Sequence, residues 1–304
     1  MTVTVLVPTE EGRAVLTRLD WAEPVRYTPG EPWPEQASPA EVLVVPAPAD
    51  DPGQLLAAMR ELPKLRMVQT LSAGTELWEG KLPDGVLLSN ARGAHGGATA
   101  ELAMAGLLDL YRQLPQFAAD QAAHRWNQHQ TETLDGKRLL VLGAGDLGQH
   151  LRAMAEPFGA AVTLVGRSAR AGVRAFAEVP DLIGAQDAVV VMVPSNAETR
   201  HLIDRTFLAR MPDRAVLVNV ARGPVVDTGA LLAELTAGRL RAVLDVTDPE
   251  PLPAGHPLWD APGLIILPHV GGATDGTIER SWRVAAEQIT AFVAGHEPPN
   301  LVPA

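Results

Sequence analysis

Apolar positions along this chain fall into two kinds of pattern. Short runs that are apolar almost throughout alternate with longer stretches in which apolar residues return every three or four positions. VTVLV at 3–7, EVLVV at 41–45, LRMVQTL at 65–71 and GVLLSN at 85–90 belong to the first kind and predict strands. DPGQLLAAMREL at 51–62 belongs to the second and predicts a helix between two of them. Buried strands alternating with helices are the pattern of a parallel sheet covered on its faces. The Pro-rich TPGEPWPEQASP at 28–39 predicts a surface loop. A long helix follows in GATAELAMAGLLDLYRQL, 97–114, and is expected to continue past Pro115 through FAADQAAHRW.

From residue 138 the rhythm restarts more strongly. RLLVLG at 138–143, AVTLVG at 161–166, DAVVVMV at 187–193, RAVLVNV at 214–220, RAVLDV at 241–246 and LIILP at 264–268 predict six further strands. DLGQHLRAMAEPFG at 146–159 predicts the helix after the first of them. Near-continuous apolar strands with helices between them mean an α/β doubly wound sheet, buried on both faces. The last amphipathic stretch, GTIERSWRVAAEQITAFVAG at 276–295, follows the last strand and is placed to cross back to the first part of the chain.

Length and composition set outer limits. With 304 residues the chain is long enough for two cores, since single cores stop growing near about 250–300 residues. Apolar residues make up 46% and charged residues 20%, and no run of 18 residues is uninterruptedly apolar, so a soluble protein without a membrane span is expected. MTVTVLVPTEEGR has no basic segment ahead of its apolar run and no small-residue cleavage pattern after it; it reads as a first strand, and the cytoplasm is the expected compartment. Without cysteine, disulfides, thiolate nucleophiles and Cys-ligated metals are excluded. Histidines such as His95, His124, His129, His201 and His256 lack metal-ligand spacing and read as surface or packing residues, so no metal is expected. A net charge of −11 argues against a broad nucleic-acid footprint, while leaving room for a local basic pocket.

One such pocket is foreshadowed beside a glycine-rich turn. Gly143, Gly145 and Gly148 form G-x-G-x-x-G between a predicted strand and a predicted helix. The first glycine permits the turn, the second lets a diphosphate approach, and the third lets the helix pack closely. Asp146 and Leu147 complete the turn, and the helix N-terminus behind it favours an anion. The strand beyond that helix usually ends in an acid that binds the ribose 2′-hydroxyl of NAD. VTLVGRSAR at 162–170 instead places Arg167 there, with Ser168 and Arg170 close by. Two guanidinium groups and a hydroxyl suit a 2′-phosphate, so NADP(H) is the expected cofactor and NAD(H) the alternative.

Three more motifs follow in order, each at the end of a predicted strand: NVARG at 219–223, LDVTDPEPLP at 244–253 and LPHVGG at 267–272. Open α/β sheets bind ligands at that edge. Together with LSAGTE, GATAELAMAGLL, LDGKRLLVLGAGDLG and VPSNAETRHLID, they make the chain resemble the D-isomer-specific 2-hydroxyacid dehydrogenase family over nearly its whole length. The resemblance implies two Rossmann-like domains with parallel sheets. A discontinuous, flavodoxin-like substrate domain would span 1–92 plus 276–304, and a dinucleotide-binding domain 93–275, with connections near 91–98 and 272–276. A homodimer is implied as well, with the helix at 97–114 as a contact.

Carried over position by position, the resemblance assigns catalysis to Arg222, Glu250 and His269. An arginine fork can hold a carboxylate and polarise the carbonyl that gains charge during reduction. A carboxylate beside an imidazole can keep a proton ready for the forming alkoxide. Ser72, Ala73 and Gly74, with Arg222 and His269, are the implied substrate contacts, the loop presenting its backbone N–H groups. Val193, Pro194, Val220, Ala221, Arg222, Asp245, His269 and Gly271 are the implied cofactor lining, with Asp245 near the nicotinamide carboxamide. Asn196 stands where the family often has threonine.

The expected activity is NADPH-dependent reduction of a small 2-oxo acid, glyoxylate or hydroxypyruvate, to a D-2-hydroxy acid. NAD-dependent oxidation of D-lactate or a phosphoglycerate is one alternative, and a non-enzymatic, dinucleotide-sensing corepressor-like protein another. A formate-type dehydrogenase would carry glutamine at position 250, where this chain has Glu250. A methyltransferase with a related glycine turn would not account for Arg222, Glu250 and His269 together.

Overall fold

The computed structural model describes residues 2–47, 49 and 51–303. They form two compact units, one built from the chain up to His95 together with Asp275 onward, the other from Gly96–Thr274.

In the first unit five parallel strands, β1 (Val3–Val7), β2 (Ala22–Arg26), β3 (Val42–Val45), β4 (Met67–Thr70) and β5 (Leu87–Ser89), run in the order β2-β1-β3-β4-β5. This is the flavodoxin-like order of an open sheet. Strand alternation splits the core. Leu6, Leu43, Val45 and Val68 pack toward Leu55 and Met59 of the helix Pro52–Met59. Val5, Val7, Val42, Val44 and Met67 pack toward Trp282, Ala285 and Ile289 of the helix Thr277–Val293. The late helix thus completes a core begun by the first strand. Trp282 fits because Gly12 lies against its ring, where any β-carbon would collide.

Only β2 has no counterpart among the predicted strands of this unit. Its sequence AEPVR is half-exposed and contains Pro24, both marks of an edge strand that needs a ladder partner on one side only.

The second unit carries seven parallel strands: β6 (Arg138–Leu142), β7 (Ala161–Gly166), β8 (Val173–Ala175), β9 (Ala188–Val191), β10 (Val216–Asn219), β11 (Arg241–Leu244) and β12 (Leu264–Ile266). Their order is β12-β11-β10-β9-β6-β7-β8. The chain leaves β6 toward β7 on one side and later returns to its other side with β9, so strand order reverses between β6 and β9. In open α/β sheets the ligand crevice forms outside the carboxyl ends of the strands at such a reversal.

Helices cover both faces. Gly96–Arg112 crosses one of them so closely that a β-carbon on Gly106 would press into Val243. That helix ends earlier than the apolar pattern suggests. Gln113 turns left-handed at φ 53°, and a separate helix, Leu114–Ala122, begins with Pro115 in its first turn. A proline inside a continuous helix would lose a hydrogen bond and clash with the preceding turn.

At the amino ends of the strands, an ion network closes the sheet. Glu132 accepts from Lys137 at 2.8 Å, Arg241 at 2.9 Å and Arg214 at 3.2 Å. Lys137 and Arg241 also lie 4.9 and 5.3 Å from the centroid of the Tyr111 ring. Partial burial pushes the Glu132 carboxyl up, but the hydrogen bonds and charges of Lys137 and Arg241 outweigh it and bring the pKa from 4.5 down to about 2. A depressed carboxyl stabilises the fold above its unfolded pKa and loses that contribution as pH falls through its folded value. Glu132→Gln is therefore expected to cost about 1–3 kcal/mol in urea unfolding at neutral pH. Its gap from the wild type should narrow as pH drops from 4.5 toward about 2. A gap independent of pH would show that the charge is irrelevant.

Candidate active site

Each glycine of the β6 turn has a separate physical reason. Gly143 sits at φ 121°, and a β-carbon there would collide with the Met192 carbonyl beyond β9. One on Gly148 would collide with the Gly143 carbonyl, so this glycine sets how closely the helix Asp146–Ala155 approaches its strand. Around Gly145 a β-carbon would meet nothing within 4 Å, which leaves open backbone at the helix N-terminus. An open amide turn with a positive helix end fits the diphosphate of a dinucleotide.

The neighbours of this turn divide the work. Leu147 packs into the core. Asp146 turns its carboxylate against Gly96, at the start of the helix Gly96–Arg112, and its Oδ1 lies 3.4 Å from His150 Nε2. Arg167 and Ser168 are exposed just beyond β7, and Arg167 makes no hydrogen bond or ion pair among the described residues. Arg170 differs: its Nη2 donates to the Ala144 carbonyl at 3.0 Å, bracing the glycine turn. After β9, Val193 and Pro194 lead into a turn in which Asn196 Oδ1 accepts from the amides of Glu198 and Thr199 at 2.9 and 3.1 Å. Thr199 Oγ1 donates to the Pro194 carbonyl at 2.7 Å.

The second group lies across three adjacent strands, where Asn219 pairs with Leu244 and Leu244 with Ile266. Arg222, Glu250 and His269 follow these three ends. Beyond β10, Val220 and Ala221 are buried, and the fully buried Asn219 shapes the turn. Its Oδ1 accepts from Ala221 N–H at 3.1 Å, and its Nδ2 donates to the Arg222 carbonyl at 3.0 Å. Arg222 is half-buried, and its Nη1 donates to the Ala221 carbonyl at 2.7 Å. A β-carbon on Gly223 would overlap the Thr247 carbonyl, so the Arg222 turn lies directly on the segment leading to Glu250. Thr228 Oγ1 donates to the Asp248 carbonyl at 2.8 Å, and Thr247 Oγ1 to the Pro249 carbonyl at 2.8 Å.

His269 Nδ1 then lies 2.6 Å from Glu250 Oε1, with both side chains about half-exposed. Its backbone is left-handed at φ 54°, a region that a β-carbon disfavours by about 1–2 kcal/mol. Asp245 holds it there. The Asp245 carbonyl accepts from His269 N–H at 2.8 Å, while its carboxylate accepts from Val270 N–H at 2.8 Å and Gly271 N–H at 3.0 Å. Asp245 is only 2% exposed, so both carboxylate oxygens serve the His269 loop. Gly271 is required by the fit, since its β-carbon would lie 2.9 Å from Asp245 Oδ2.

Ser72, Ala73 and Gly74 belong to the first unit and follow β4. Among the described residues their three backbone N–H groups have no acceptor, whereas the carbonyls from 71 to 74 are all engaged. His95, read from the sequence as a surface or packing residue, accounts for one of these: its Nε2 lies 3.2 Å from the Leu71 carbonyl and 3.3 Å from Ser281 Oγ. Asn219, Thr228 and Thr247 also escaped the sequence reading. Their signal is weak: Asn219 ends β10, Thr247 is buried three residues past β11 and Thr228 opens a helix half-buried, and each shows in sequence only as a single polar position.

Residues 104–271 match the family model described as D-isomer specific 2-hydroxyacid dehydrogenase, NAD binding domain. The glyoxylate reductase of Aeropyrum pernix is 32% identical over 80% of this chain and 78% of its own length. The human glyoxylate reductase/hydroxypyruvate reductase is 34% identical over 66% of this chain and 65% of its own. The D-isomer specific 2-hydroxyacid dehydrogenase of Xanthobacter autotrophicus Py2, solved with NADPH and MES, superposes with a TM-score of 0.85 at 27% identity, covering 99% and 98% of the two chains. The chain belongs to the D-isomer-specific 2-hydroxyacid dehydrogenase family, whose members are oxidoreductases that use a nicotinamide dinucleotide.

The Asp245 arrangement is directly testable. Asp245→Asn keeps the shape but turns one acceptor oxygen into a donor facing a backbone N–H. It should lower unfolding stability by about 1–3 kcal/mol. Denaturant curves coinciding with the wild type would show that the His269 loop is held by other means.

Proposed function

We propose that this protein is an NADPH-preferring reductase of small 2-oxo acids such as glyoxylate and hydroxypyruvate. The observation that carries the reading is the 2.6 Å contact of His269 Nδ1 with Glu250 Oε1, at strand ends adjacent to that of Arg222. Bound reduced nicotinamide would supply the hydride that adds to C2 of the oxo acid. The Arg222 guanidinium would hold the substrate carboxylate and draw charge onto the carbonyl oxygen. Glu250 accepts from Nδ1–H, which fixes the imidazole and directs Nε2 to the substrate. From Nε2 a proton passes to the oxygen as it becomes a neutral hydroxyl, so the 2-hydroxy carboxylate leaves behind a deprotonated imidazole nitrogen to be reprotonated from solvent. In this reading the amides of Ser72, Ala73 and Gly74 also bind the substrate carboxylate.

Cofactor preference rests on Arg167. Its guanidinium is exposed at the end of β7, where an acid would favour the ribose hydroxyls of NAD. Ser168 lies beside it, and Arg170, although bound through Nη2 to the Ala144 carbonyl, has further N–H groups for a phosphate. The Xanthobacter relative was solved with NADPH, which agrees with this choice. Glyoxylate and hydroxypyruvate are favoured because two relatives bear those substrates in their names.

Oxidation of NADPH and NADH against a panel of 2-oxo acids tests the activity. Arg167→Ala is expected to raise KM for NADPH by at least about tenfold while changing that for NADH about twofold or less. Equal losses for both would remove the phosphate assignment. His269→Asn should lower kcat by about 10²- to 10⁴-fold with cofactor binding retained. Turnover at the wild-type rate would end the proton-donor role.

A further inference from the structure

An anion-binding loop needs its N–H groups turned outward, and that depends on where its carbonyls are held. In the loop after β4 every carbonyl is held from behind. His95 Nε2 lies 3.2 Å from the Leu71 carbonyl. Ala91 N–H and Thr70 Oγ1 donate to the Ser72 carbonyl at 2.9 and 2.6 Å. Asn90 Nδ2 donates to the Ala73 carbonyl at 3.1 Å, and Ser72 Oγ to the Gly74 carbonyl at 2.9 Å. Two of the residues doing the holding, Asn90 and Ala91, are consecutive, so the loop is set by wherever that short segment sits.

The segment is itself gripped, from the far end of the sequence. Asn300 Nδ2 donates to the Asn90 carbonyl at 3.2 Å and to the Arg92 carbonyl at 2.9 Å. Asn90 N–H donates back to the Asn300 carbonyl at 3.3 Å. Asn300 N–H in turn donates to Gln288 Oε1 at 2.7 Å, which ties it to the helix Thr277–Val293. Asn300 is 8% exposed and Gln288 3%, so water cannot easily replace these bonds. On either side, Arg92 Nη2 donates to the Pro299 carbonyl at 3.0 Å and Val302 N–H to the Leu88 carbonyl at 2.8 Å. The tail thus runs beside β5 as an added edge segment, with Leu301 bridging Ser89.

We propose that Asn300, backed by Gln288, is a positioning residue for substrate binding: it fixes Asn90 and Ala91, and through them the peptide planes of the loop at 72–74. Asn300 touches no substrate; it keeps three amides aimed at a carboxylate. The inference rests on the reading of that loop as the seat of a 2-oxo acid's carboxylate.

Asn300→Asp is nearly isosteric and sets a carboxylate oxygen against two carbonyls in place of a shared donor. It should raise KM for glyoxylate about tenfold, the worth of roughly one hydrogen bond, with kcat and the Kd for NADPH changed about twofold or less. Amide exchange at Ala91 should quicken, because its acceptor, the Ser72 carbonyl, is then loosely held. Gln288→Glu keeps an acceptor for Asn300 N–H, at the cost of placing a carboxyl in a buried site, and should shift KM and Ala91 exchange less than Gln288→Leu does. Gln288→Leu removes it and should shift KM and Ala91 exchange in the same direction as Asn300→Asp. If Asn300→Asp does not fold, the Gln288 pair decides alone. Unchanged KM and exchange in Asn300→Asp and Gln288→Leu would overturn the proposal, as would KM and NADPH affinity worsening in parallel. Should the wild type reduce no 2-oxo acid, the functional reading fails by itself, and the exchange comparison still decides whether Asn300 tethers the loop.

Discussion

Two oxygens of one buried carboxylate, Asp245, fix the peptide that carries His269. The constraint is demanding, since His269 takes a backbone conformation that a free chain with a β-carbon rarely visits, and it must meet Glu250 at 2.6 Å. A flexible loop would spread the imidazole over many positions. Three amides in a row donate to Asp245, one to its carbonyl and two to its carboxylate, and bonds to a carboxylate are among the stronger ones available. The cost of the left-handed turn is therefore met locally, and the imidazole is oriented before any ligand arrives. Because Asp245 immediately follows β11, the geometry is inherited from a strand paired on both sides in the sheet.

The same sheet separates stability from chemistry by direction. At the amino ends of its strands Glu132 gathers Lys137, Arg214 and Arg241. At the carboxyl ends the chain spends its irregular residues: the glycine turn after β6, the Asn196 turn after β9, the Arg222 turn after β10 and the His269 loop after β12. Close backbone approaches knit these loops to one another. Gly223 lies on Thr247, Gly148 on Gly143, and Gly143 on Met192, each where a side chain would intrude. Such contacts transmit position from strand to loop without depending on flexible side chains.

Much of this was legible in the chain itself. Period and apolar content pointed to the interior strands, because a strand buried on both faces must be apolar throughout. The edge strands β2 and β8 escaped, since a strand with one neighbour tolerates Pro24 or Arg174 and so lacks that signature. The helix break at Gln113 was missed because an apolar period says nothing of a proline ring meeting the carbonyl of the turn before it. Among the proposed site residues, those with strong local grammar, Gly143, Gly145, Gly148 and Arg167, stand out one by one. Glu250 and His269 stood out only as members of an ordered set, and the supports Asn219, Thr228 and Asn300 carry no local mark. The partners of Thr228 and Asn300 lie 20 and 210 residues away, so only folding brings donor and acceptor together, while Asn219 bonds two and three residues ahead and reads as an ordinary polar residue at a strand end.

Arg170 joins two ends of the glycine turn's neighbourhood that could have been independent. Its side chain, four residues past β7, braces the carbonyl of Ala144, inside the glycine turn proposed to seat the diphosphate. A protein engineer seeking to exchange one dinucleotide for the other would therefore meet unequal freedom at two similar cations. Altering Arg167 would leave the turn's own support in place, while altering Arg170 would loosen the seat common to either coenzyme. If Arg167 holds the 2′-phosphate as proposed, selectivity can drift there, whereas at Arg170 drift would carry a penalty for every dinucleotide alike.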